Sequence, residues 1–345
     1  MTGILVTGGT GFVLSNLVRR LLERWPEAGI VVLDLAAEDA LAAAFLGPPG
    51  RRLRLVAGDV RDPAALRAAA EGIEITHVVH GATVTHDAAA ERRDPTRYLG
   101  VNLGGTVQLL EWLRGRGGAT RLLHVSTGGV YGNPQPGTPE APQPEDGPFD
   151  PPELYAVSKY AAELVVRRYA GLFGIPACRV RFADVFGPME RPTGARRSMS
   201  LPFHMMRALI EDRPLRVSAR SMQAGGDYLS AEDVADALLL LLRADRPPFD
   251  LFNIAAGRWR PLPELLGAFA AVAPSFRHAV VPQDEAEIDF DPANRLARYN
   301  AYAIDRIGTL GWRPRPLERQ LAGYLAWVMA DPAARCPAPA ARRDQ

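Results

Sequence analysis

Tyr155 and Lys159 stand four residues apart in the segment Tyr-Ala-Val-Ser-Lys, and this spacing predicts a proton-transfer pair. Residues four apart on a helix lie on the same face, so the phenol and the ammonium would be neighbours. An ammonium stabilises a phenolate and would lower the pKa of the phenol from about 10 toward neutrality. Such a phenolate could accept the proton of a substrate hydroxyl. The alternative is an ordinary pair on a helix surface.

Lys159 is also the only lysine of the chain. Lysine and arginine together number 40, so arginine accounts for the other 39. Arginine can supply a surface charge as well as lysine can, but it cannot supply a compact ammonium. The composition therefore indicates a functional role for Lys159 independently of its spacing from Tyr155.

A hydroxyl pair, Ser126 and Thr127, follows the apolar run that begins at Leu122. Parallel sheets bind ligands in the crevice outside the carboxyl ends of their strands. A hydroxyl at this position could therefore hold the oxygen that reacts.

A glycine-rich segment, Thr-Gly-Gly-Thr-Gly-Phe-Val-Leu at 7–14, joins the first predicted strand to the first predicted helix. Glycines there let the backbone approach a pyrophosphate, which the helix N-terminus holds electrostatically. Asp34 follows the second predicted strand, where a carboxylate would bind the adenosine ribose hydroxyls and repel a 2′-phosphate. The pattern predicts NAD rather than NADP, and hence hydride transfer beside Tyr155. Within the turn the predicted contacts are Gly8, Gly11, Phe12 and Val13.

Two further positions bear on the cofactor. Asp59, in Gly-Asp-Val at 58–60, ends the third predicted strand, where it could contact the adenine amine or simply place a charge at a helix N-terminus. Leu14 stands where a third small residue would allow close packing of helix on strand. We expect Leu14 to widen that packing or to crowd the phosphate.

The elements that must position these residues alternate along the chain. Short apolar runs, bounded by turn residues, are separated by amphipathic stretches, which is typical of parallel βαβ units. Strands are predicted at Ile4–Thr7, Ile30–Leu33, Arg54–Ala57, Val78–His80, Leu122–Ser126 and Cys178–Phe182, and helices at Ser15–Arg24, Pro63–Ala70, Asn102–Leu113, Leu154–Phe173 and Ser230–Ala244. The pattern predicts the α/β class, with a Rossmann-type doubly wound parallel sheet.

The second half of the chain is predicted to form a smaller C-terminal substrate-binding domain. We expect the NAD-binding domain to span residues 1–180 plus about 228–246, and the substrate domain about 181–227 and 247–330. Asn133–Glu153, which is rich in proline, is predicted to be an exposed surface insertion or a flap over the site. Residues 331–345 are rich in proline, alanine and arginine and are expected to be a disordered tail.

Composition excludes several classes of function. Hydrophobic residues make up 47% and charged residues 23%, which is globular composition, and a net charge of +1 gives no global field to attract nucleic acid or an anionic membrane. Apolar runs such as Ala237–Leu242 are too short to span a bilayer. The chain enters a strand at once with no basic leader, and its two cysteines, Cys178 and Cys336, make neither a disulfide framework nor alone a zinc site. We expect a cytoplasmic protein without a metal.

Taken together, the motifs resemble the extended short-chain dehydrogenase/reductase family, in particular its NAD-dependent epimerase/dehydratase group. The resemblance covers nearly the whole chain. Its marks are Thr-Gly-Gly-Thr-Gly-Phe at 7–12, Asp34, Gly-Asp-Val at 58–60, His-Gly-Ala at 80–82, Asn102, Gly-Thr at 105–106, Val-Tyr-Gly at 130–132, Tyr155 with Lys159, Val-Phe-Gly-Pro at 185–188, Asp-Tyr at 227–228, Phe-Asn-Ile at 252–254 and Leu-Gly-Trp-Arg-Pro at 310–314.

The resemblance implies roles for named residues. Thr127 would be the catalytic hydroxyl, Tyr155 the acid and base, and Lys159 the group that steadies Tyr155 and the nicotinamide ribose. Further cofactor contacts implied in this way are Val60, Gly81, Ala82, Thr83, Asn102 and Ser126. Predicted substrate contacts are Thr83, Thr127, Asp184, Arg191 and Arg197. The family commonly dimerises through the helices that here are Asn102–Leu113 and Leu154–Phe173, so a homodimer is expected.

Departures from the family pattern bear on the reaction. Dehydratases and decarboxylases of the family carry acidic residues just after the catalytic threonine, where this chain has Gly128 and Gly129. We therefore expect neither reaction. Nucleotide-sugar epimerases of the family usually carry Asn and Arg, which help hold the diphosphate, where this chain has Asp184 and Gly226. Losing the arginine removes a charge-assisted contact.

Three functions remain open at this point. The first is NAD-dependent oxidation or reduction at a secondary hydroxyl of a sugar or sugar acid. The second is a UDP-sugar type of epimerase, in which hydride leaves and returns without net NADH. The third is a non-catalytic NAD-binding regulatory protein, for which Leu14 speaks and which the Tyr155 and Lys159 pair opposes. A small carbohydrate is the expected partner in the first two.

Overall fold

Alternating strands and helices build the chain as the sequence predicts. A computed structural model describes residues 2–35, 39–117, 120–132, 141–290 and 301–337. In these residues the strands are β1 Thr2–Thr7, β2 Ala28–Asp34, β3 Leu53–Ala57, β4 Ile75–His80, β5 Arg121–Thr127, β6 Ala177–Phe182, β7 Asp184–Phe186, β8 Leu215–Ser218, β9 Gly225–Gly226, β10 Tyr228–Ser230, β11 Leu251–Ile254, β12 Arg260–Pro261 and β13 His278–Val281.

The helices of the same residues flank these strands. They are α1 Phe12–Arg24, α2 Ala40–Leu46, α3 Pro63–Ala70, α4 Ala88–Arg93, α5 Thr96–Tyr98, α6 Gly105–Gly115, α7 Leu154–Phe173, α8 Leu201–Ile210, α9 Ala231–Arg243, α10 Leu262–Val272, α11 Asp305–Gly308, α12 Leu317–Met329 and α13 Pro332–Arg335. A turn of π-helix, Leu99–Gly104, leads into α6, and a 3₁₀ turn, Gly128–Tyr131, follows β5. In the described part of the chain no helix is long and apolar enough to cross a bilayer.

The central sheet has seven parallel strands in the order β11–β6–β5–β4–β1–β2–β3. Successive side chains of a strand point to opposite faces. In β1, Ile4 and Val6 pack with α1 and α9 on one face, and Leu5 packs with α3, α6 and α7 on the other. Both faces are therefore apolar, which confirms the predicted α/β fold with a doubly wound Rossmann-type sheet.

The strand order reverses between β4 and β1, and the crevice beyond their carboxyl ends is where such sheets bind ligands. Thr7 and His80 end these two strands, and the Thr7 hydroxyl lies 2.7 Å from His80 Nδ1. The glycine-rich turn leaves the sheet at this point. The fold thus brings the predicted cofactor residues to the edge where a ligand can reach them.

A second apolar cluster holds the C-terminal half together. It is built largely from α8, β8, α10 and α12, with Phe203, Leu265, Phe269, Leu321 and Tyr324 fully buried. The helix α9 packs instead against α1, on one face of the central sheet. The domain limits given above remain a prediction.

Two expectations about irregular segments meet different outcomes. The predicted disordered tail is wrong for residues 331–337, because α13 follows α12, Cys336 is buried and its carbonyl accepts a hydrogen bond from Arg207 Nη1 at 2.5 Å; residues 338–345 lie outside the described residues. Of the predicted insertion at 133–153, residues 133–140 also lie outside the described residues. Its remainder is tied to the C-terminal half by Gln143, whose N–H donates to the Ala301 carbonyl at 2.7 Å.

Candidate active site

A cavity of about 1440 Å³ opens at the carboxyl edge of the sheet. Its lining includes nearly all the residues that the sequence singles out. These are Gly8, Gly11, Phe12, Val13, Asp34, Asp59, Val60, Gly81, Ala82, Thr83, Ser126, Thr127, Tyr155, Lys159, Asp184 and Arg191. Asn102 and Arg197 are the two predicted residues that the structure does not bring into it.

The glycine-rich turn fits a dinucleotide. Gly8 has a φ of +76°, and a Cβ there would lie 2.9 Å from the backbone nitrogen of Ala82. The helix α1 begins at Phe12 after Gly11, which has no side chain to cap the first N–H groups. Because uncapped N–H groups at a helix N-terminus favour an anion, the turn can hold a pyrophosphate.

Asp34 closes the same end of the cavity. Its Oδ2 accepts a hydrogen bond from the backbone N–H of Thr10 at 3.1 Å, which places the carboxylate over the glycine-rich turn. Asp59 is bound to Arg61, with Arg61 Nη2 2.6 Å from Asp59 Oδ2, and this hydrogen bond lowers the pKa of Asp59. Both carboxylates line the cavity, and their cofactor contacts remain predictions.

Leu14 neither opens the packing of α1 nor stands free in the cavity. It is 4% exposed and belongs to the apolar cluster beneath the sheet. A Cβ at Gly81 would lie 2.4 Å from Leu14 Cδ1, so the Leu14 side chain uses the room that Gly81 leaves. A glycine at the end of the neighbouring strand thus makes room for Leu14, and the expected widening of the α1 packing stays a prediction.

Thr127, Tyr155 and Lys159 meet in one part of the cavity. Thr127 ends β5, while Tyr155 and Lys159 lie on successive turns at the start of α7. The Thr127 hydroxyl hydrogen-bonds Tyr155 and accepts from the backbone N–H of Gly129 at 3.1 Å. The strand end and the helix therefore bring a hydroxyl, a phenol and an ammonium together, as a proton transfer to or from a substrate oxygen requires.

The charges of this trio differ from the sequence prediction. Burial raises the pKa of Tyr155, an effect that the hydrogen bond from Thr127 only partly offsets. Burial lowers the pKa of Lys159 to about 8, against the opposing effect of Glu163. The predicted lowering of the Tyr155 pKa by Lys159 alone is therefore wrong, because desolvation is the larger influence on both groups.

Asn102 lies behind the cavity wall as a positioning residue. Its Oδ1 accepts from Thr83 Oγ1 and from the Val84 N–H, both at 2.9 Å, and its Nδ2 donates to the Val84 carbonyl and to Ser158 Oγ at 3.1 and 3.0 Å. All four hydrogen-bonding positions of the amide are filled by protein. These contacts hold Thr83 and Val84 against the helix of Tyr155, and the predicted contact of Asn102 with the cofactor stays a prediction.

A buried ion pair supports the trio and escaped the sequence analysis. Arg181 on β6 holds Glu163 in a two-pronged contact, with Nε 2.9 Å from Oε1 and Nη2 2.6 Å from Oε2, and both side chains are at most 2% exposed. Ser126 donates its hydroxyl to the same carboxylate. Since Glu163 stands four residues after Lys159, the signal was present in the helix spacing. Its partner on β6 could not be identified from spacing alone.

The N-terminus of α7 carries a second group of acids. Glu153 stands two residues before Tyr155, and burial together with the charge of Glu91 raises its pKa to about 7. Glu91 Oε1 accepts from the Leu154 N–H at 3.1 Å, and its Oε2 lies 3.5 Å from His86 Nδ1. The negative charge of Glu153 contributes to the raised pKa of Tyr155.

Residues 189–200, which we call the bridging segment, cross between the two rims of the cavity. On one rim Arg191 lies 2.9 Å from Asp39 Oδ2 and donates to the Thr10 carbonyl at 3.2 Å. On the other, the Ala195 carbonyl accepts from the backbone N–H and the hydroxyl of Thr85 at 3.0 and 2.9 Å. Arg191 is thus bound at the cofactor end, and its predicted role in holding substrate remains a prediction.

Arg196, rather than Arg197, points into the cavity. Arg197 is 55% exposed, lies 3.8 Å from Asp87 and does not line the cavity, and its predicted substrate contact stays a prediction. The Arg196 guanidinium lies 5.0 Å from the centre of the Phe12 ring and donates to Glu190 Oε1 at 2.6 Å. It faces Asp184 and Tyr155 closely enough to favour the charged form of each.

Comparison with known families places these motifs in one group. A family model described as NAD dependent epimerase/dehydratase matches residues 4–255. Among curated proteins, the UDP-glucose 4-epimerase of Mycolicibacterium smegmatis is 29% identical over 316 residues, which cover 90% of this chain and 93% of that one.

Two further similarities concern a dehydratase and a solved structure. The dTDP-glucose 4,6-dehydratase of Mycolicibacterium smegmatis is 36% identical over 187 residues, so the match spans about half of that protein, 54% of its length. The crystal structure of the Thermus thermophilus UDP-glucose 4-epimerase in complex with NAD has a TM-score of 0.78 at 25% identity, covering 96% of this chain and 100% of that one.

These similarities overturn one expectation. The sequence analysis excluded dehydratases and decarboxylases because Gly128 and Gly129 replace acidic residues. The exclusion of dehydratases is wrong, because dTDP-glucose 4,6-dehydratases are among the similar proteins. The exclusion of decarboxylases stays a prediction. Two positions beside the threonine carry less weight than similarity that extends along the chain.

Proposed function

Because the chain belongs to the NAD dependent epimerase/dehydratase family, we propose that it moves hydride between NAD and a secondary hydroxyl carbon of a sugar or sugar-acid substrate. The observation that carries the proposal is the meeting of Thr127, Tyr155 and Lys159 in the cavity that also contains the glycine-rich turn and Asp34. One cavity thus offers a dinucleotide site and a proton-transfer group.

The cavity lining supplies the residues that would hold NAD. The glycine-rich turn with the N-terminus of α1 would bind the pyrophosphate and Asp34 the adenosine ribose, while Tyr155 and Lys159 would lie at the nicotinamide end. When bound, NAD supplies the carbon that accepts or returns hydride. The remaining proposed contacts are Asp59, Val60, Gly81, Ala82, Thr83 and Ser126.

The chain's own residues would handle the proton. Tyr155 takes the proton of the substrate hydroxyl when the substrate is oxidised and returns it when the substrate is reduced. Thr127, already hydrogen-bonded to Tyr155, holds the reacting oxygen beside the phenol. Lys159, when protonated, favours the phenolate that burial disfavours.

Absorbance of NADH tests the proposal. The purified protein is mixed with NAD and a panel of sugars, sugar acids and nucleotide sugars, and a substrate that gives net growth of NADH supports dehydrogenation. Tyr155→Phe should lower kcat by roughly 10²–10⁴-fold, the usual worth of a general acid or base. An unchanged kcat in Tyr155→Phe would refute the role of the phenol and indicate a different acid or base. Absence of turnover by the wild type with every substrate of the panel would favour a non-catalytic NAD-binding protein.

Similarity to the UDP-glucose 4-epimerases favours a second candidate function. In a UDP-sugar epimerase, hydride would return to the other face of the same carbon, so no NADH would accumulate. Incubation with UDP-sugars and chromatographic separation of the products would then show an isomer in the absence of an NADH signal. This outcome would replace net oxidation by epimerisation and leave the roles of Thr127, Tyr155 and Lys159 unchanged.

We also propose a cytoplasmic homodimer formed through α6 and α7. Large apolar side chains on α7 and on the π-helical turn before α6 are exposed, among them Leu99 at 43%, Leu164 at 38% and Leu172 at 51%. An exposed apolar stripe on adjacent helices is typical of an association surface. Light scattering after size exclusion should give twice the chain mass, and Leu164→Glu should give the monomer.

A further inference from the structure

Asp184 lines the cavity at the start of β7, across from the bridging segment. Its strand pairs in parallel with β10, where Tyr228 is its partner, and its backbone N–H donates to the Asp227 carbonyl at 3.0 Å. The backbone of Asp184 is therefore fixed by the sheet pairing, and the direction of its side chain follows from it.

Gly226 provides the space that the Asp184 carboxylate occupies. A Cβ at position 226 would lie 2.5 Å from Asp184 Oδ2 and 3.1 Å from Tyr228 Cζ. Carbon and oxygen atoms cannot approach so closely, so any side chain at 226 would force Asp184 to move. The position of the Asp184 carboxylate in the cavity wall therefore depends on the absence of a side chain at Gly226.

The neighbouring carboxylate, Asp227, is engaged by the protein backbone. It accepts hydrogen bonds from the N–H groups of Ala256, Gly257 and Tyr302 at 2.6, 2.9 and 3.2 Å. Asp184, in contrast, receives no hydrogen bond at its carboxylate from the residues that the structure describes. Its hydrogen-bonding capacity is directed toward the cavity.

The charged and titratable groups around Asp184 are Asp227, Tyr228 and Arg196. Arg196 is held by Glu190 at 2.6 Å and does not reach Asp184 with a hydrogen bond. Burial and the charge of Asp227 raise the pKa of Asp184 to about 7. Burial also raises the pKa of Asp227 to about 7. Near neutral pH this part of the wall therefore changes between charged and neutral acids at both positions.

We infer that Asp184, with the space left by Gly226, selects a substrate that presents a hydrogen-bond donor at this wall, such as a hydroxyl or an ammonium, and disfavours one that places a phosphate there. A donor can satisfy the free oxygens of the carboxylate, whereas a phosphate would meet a like charge in a site poorly screened by water. The inference deepens the proposed function, on which it rests, by naming the group through which the sugar substrate is recognised.

Binding of UDP-glucose to the NAD-saturated protein tests the inference. The diphosphate is fully ionised from pH 6 to pH 8.5, so a change in affinity across this range reports protein groups. If the diphosphate binds only when Asp184 is neutral, a pKa of about 7 predicts that the affinity falls about 30-fold between these pH values. Ionisation of Asp227, whose pKa is also about 7, and loss of charge on Lys159, whose pKa is about 8, also weaken binding as the pH rises.

The variant Asp184→Asn separates the effect of Asp184 from the others, because it removes only this carboxylate. We expect D184N to bind UDP-glucose at least 10-fold more tightly than the wild type at pH 8.5 and equally at pH 6, by calorimetry. Asp212→Asn, an exposed surface position, serves as the control and should match the wild type. The shift in Tm on adding NAD verifies that each variant is folded, and Asp184→Ser replaces D184N if it is not.

Equal binding by the wild type and D184N at both pH values, whether tight or absent, would show that the diphosphate does not meet Asp184 and would overturn the inference. Because the readout is binding, it is independent of hydride transfer. Failure of the proposed function in the NADH assay would leave this result unaffected.

Discussion

Replacing Gly81 by alanine tests how the cofactor cavity accommodates Leu14. The added Cβ would lie 2.4 Å from Leu14 Cδ1 and 3.2 Å from Leu14 Cγ, with Val125 Cγ2 at 3.6 Å behind it. Carbon atoms in contact prefer about 3.5–4.0 Å, so the Leu14 side chain must move by about 1 Å. Overpacking of this kind lowers the free energy of unfolding by about 1–3 kcal/mol.

The single replacement Leu14→Ala should be destabilising for the opposite reason. Leu14 is 4% exposed, and removing a buried leucine side chain costs about 2–5 kcal/mol through lost burial and the void left behind. In the double variant the methyl group added at position 81 enters the space that Leu14 vacates. The loss in free energy of unfolding of the double variant should therefore be smaller than the sum of the two single losses by at least about 1 kcal/mol.

Urea unfolding of the four proteins measures the coupling, and titration with NAD measures its functional consequence. Because Leu14 and Gly81 both line the cavity, we expect Gly81→Ala to weaken NAD binding and the double variant to recover part of it. Gly171→Ala is the matched control, since a Cβ at that helical glycine meets nothing within 4 Å. Additive free energies of unfolding would refute the argument that Leu14 depends on Gly81.

Other predictions concern the groups around Tyr155. Glu163→Gln leaves the charge of buried Arg181 unpaired and should lower the free energy of unfolding, measured in urea, by about 3–5 kcal/mol. The same change at exposed Glu111, which pairs with Arg114, should have no measurable effect. Equal losses in the two variants would refute the special role of burial. Burial lowers the pKa of Lys159 from 10.5 to about 8, so the unfolded chain binds more protons between these values and the free energy of unfolding rises with pH across them. Lys159→Met should flatten that rise, and an unchanged slope would contradict the assignment.

The sequence predicted the elements that follow from local pattern. Both faces of the sheet are covered, so its strands appear as continuous apolar runs, and α7 has the predicted bounds because its periodicity is uninterrupted. The glycine-rich turn and Asp34 were recognisable since their chemistry requires fixed positions at strand ends. The same holds for Tyr155 and Lys159, whose spacing alone puts them on one face.

What the sequence could not predict depends on contacts between distant segments. Arg196 and Arg197 are adjacent, and only the path of the bridging segment determines which one faces the cavity. Asn102 was predicted to contact the cofactor from the family resemblance. Its side chain makes four hydrogen bonds, all to protein atoms. Asn102 lies in a π-helical turn, and no periodicity in the sequence predicts such a turn. The raised pKa of Tyr155 likewise follows from burial, which local sequence does not report.

The contacts of the bridging segment have a consequence for the order of events in turnover. A dinucleotide in the cavity would lie beneath a strip of chain tied to Thr10 and Asp39 on one side and to Thr85 on the other. If these ties hold while the dinucleotide is bound, its departure would require them to break. A catalytic cycle that discharges NADH into solution must include this opening at every round, while a cycle that hands the hydride back never needs it. The exchange rate of labelled NAD, set against kcat for whichever substrate is turned over, therefore separates the two cycles.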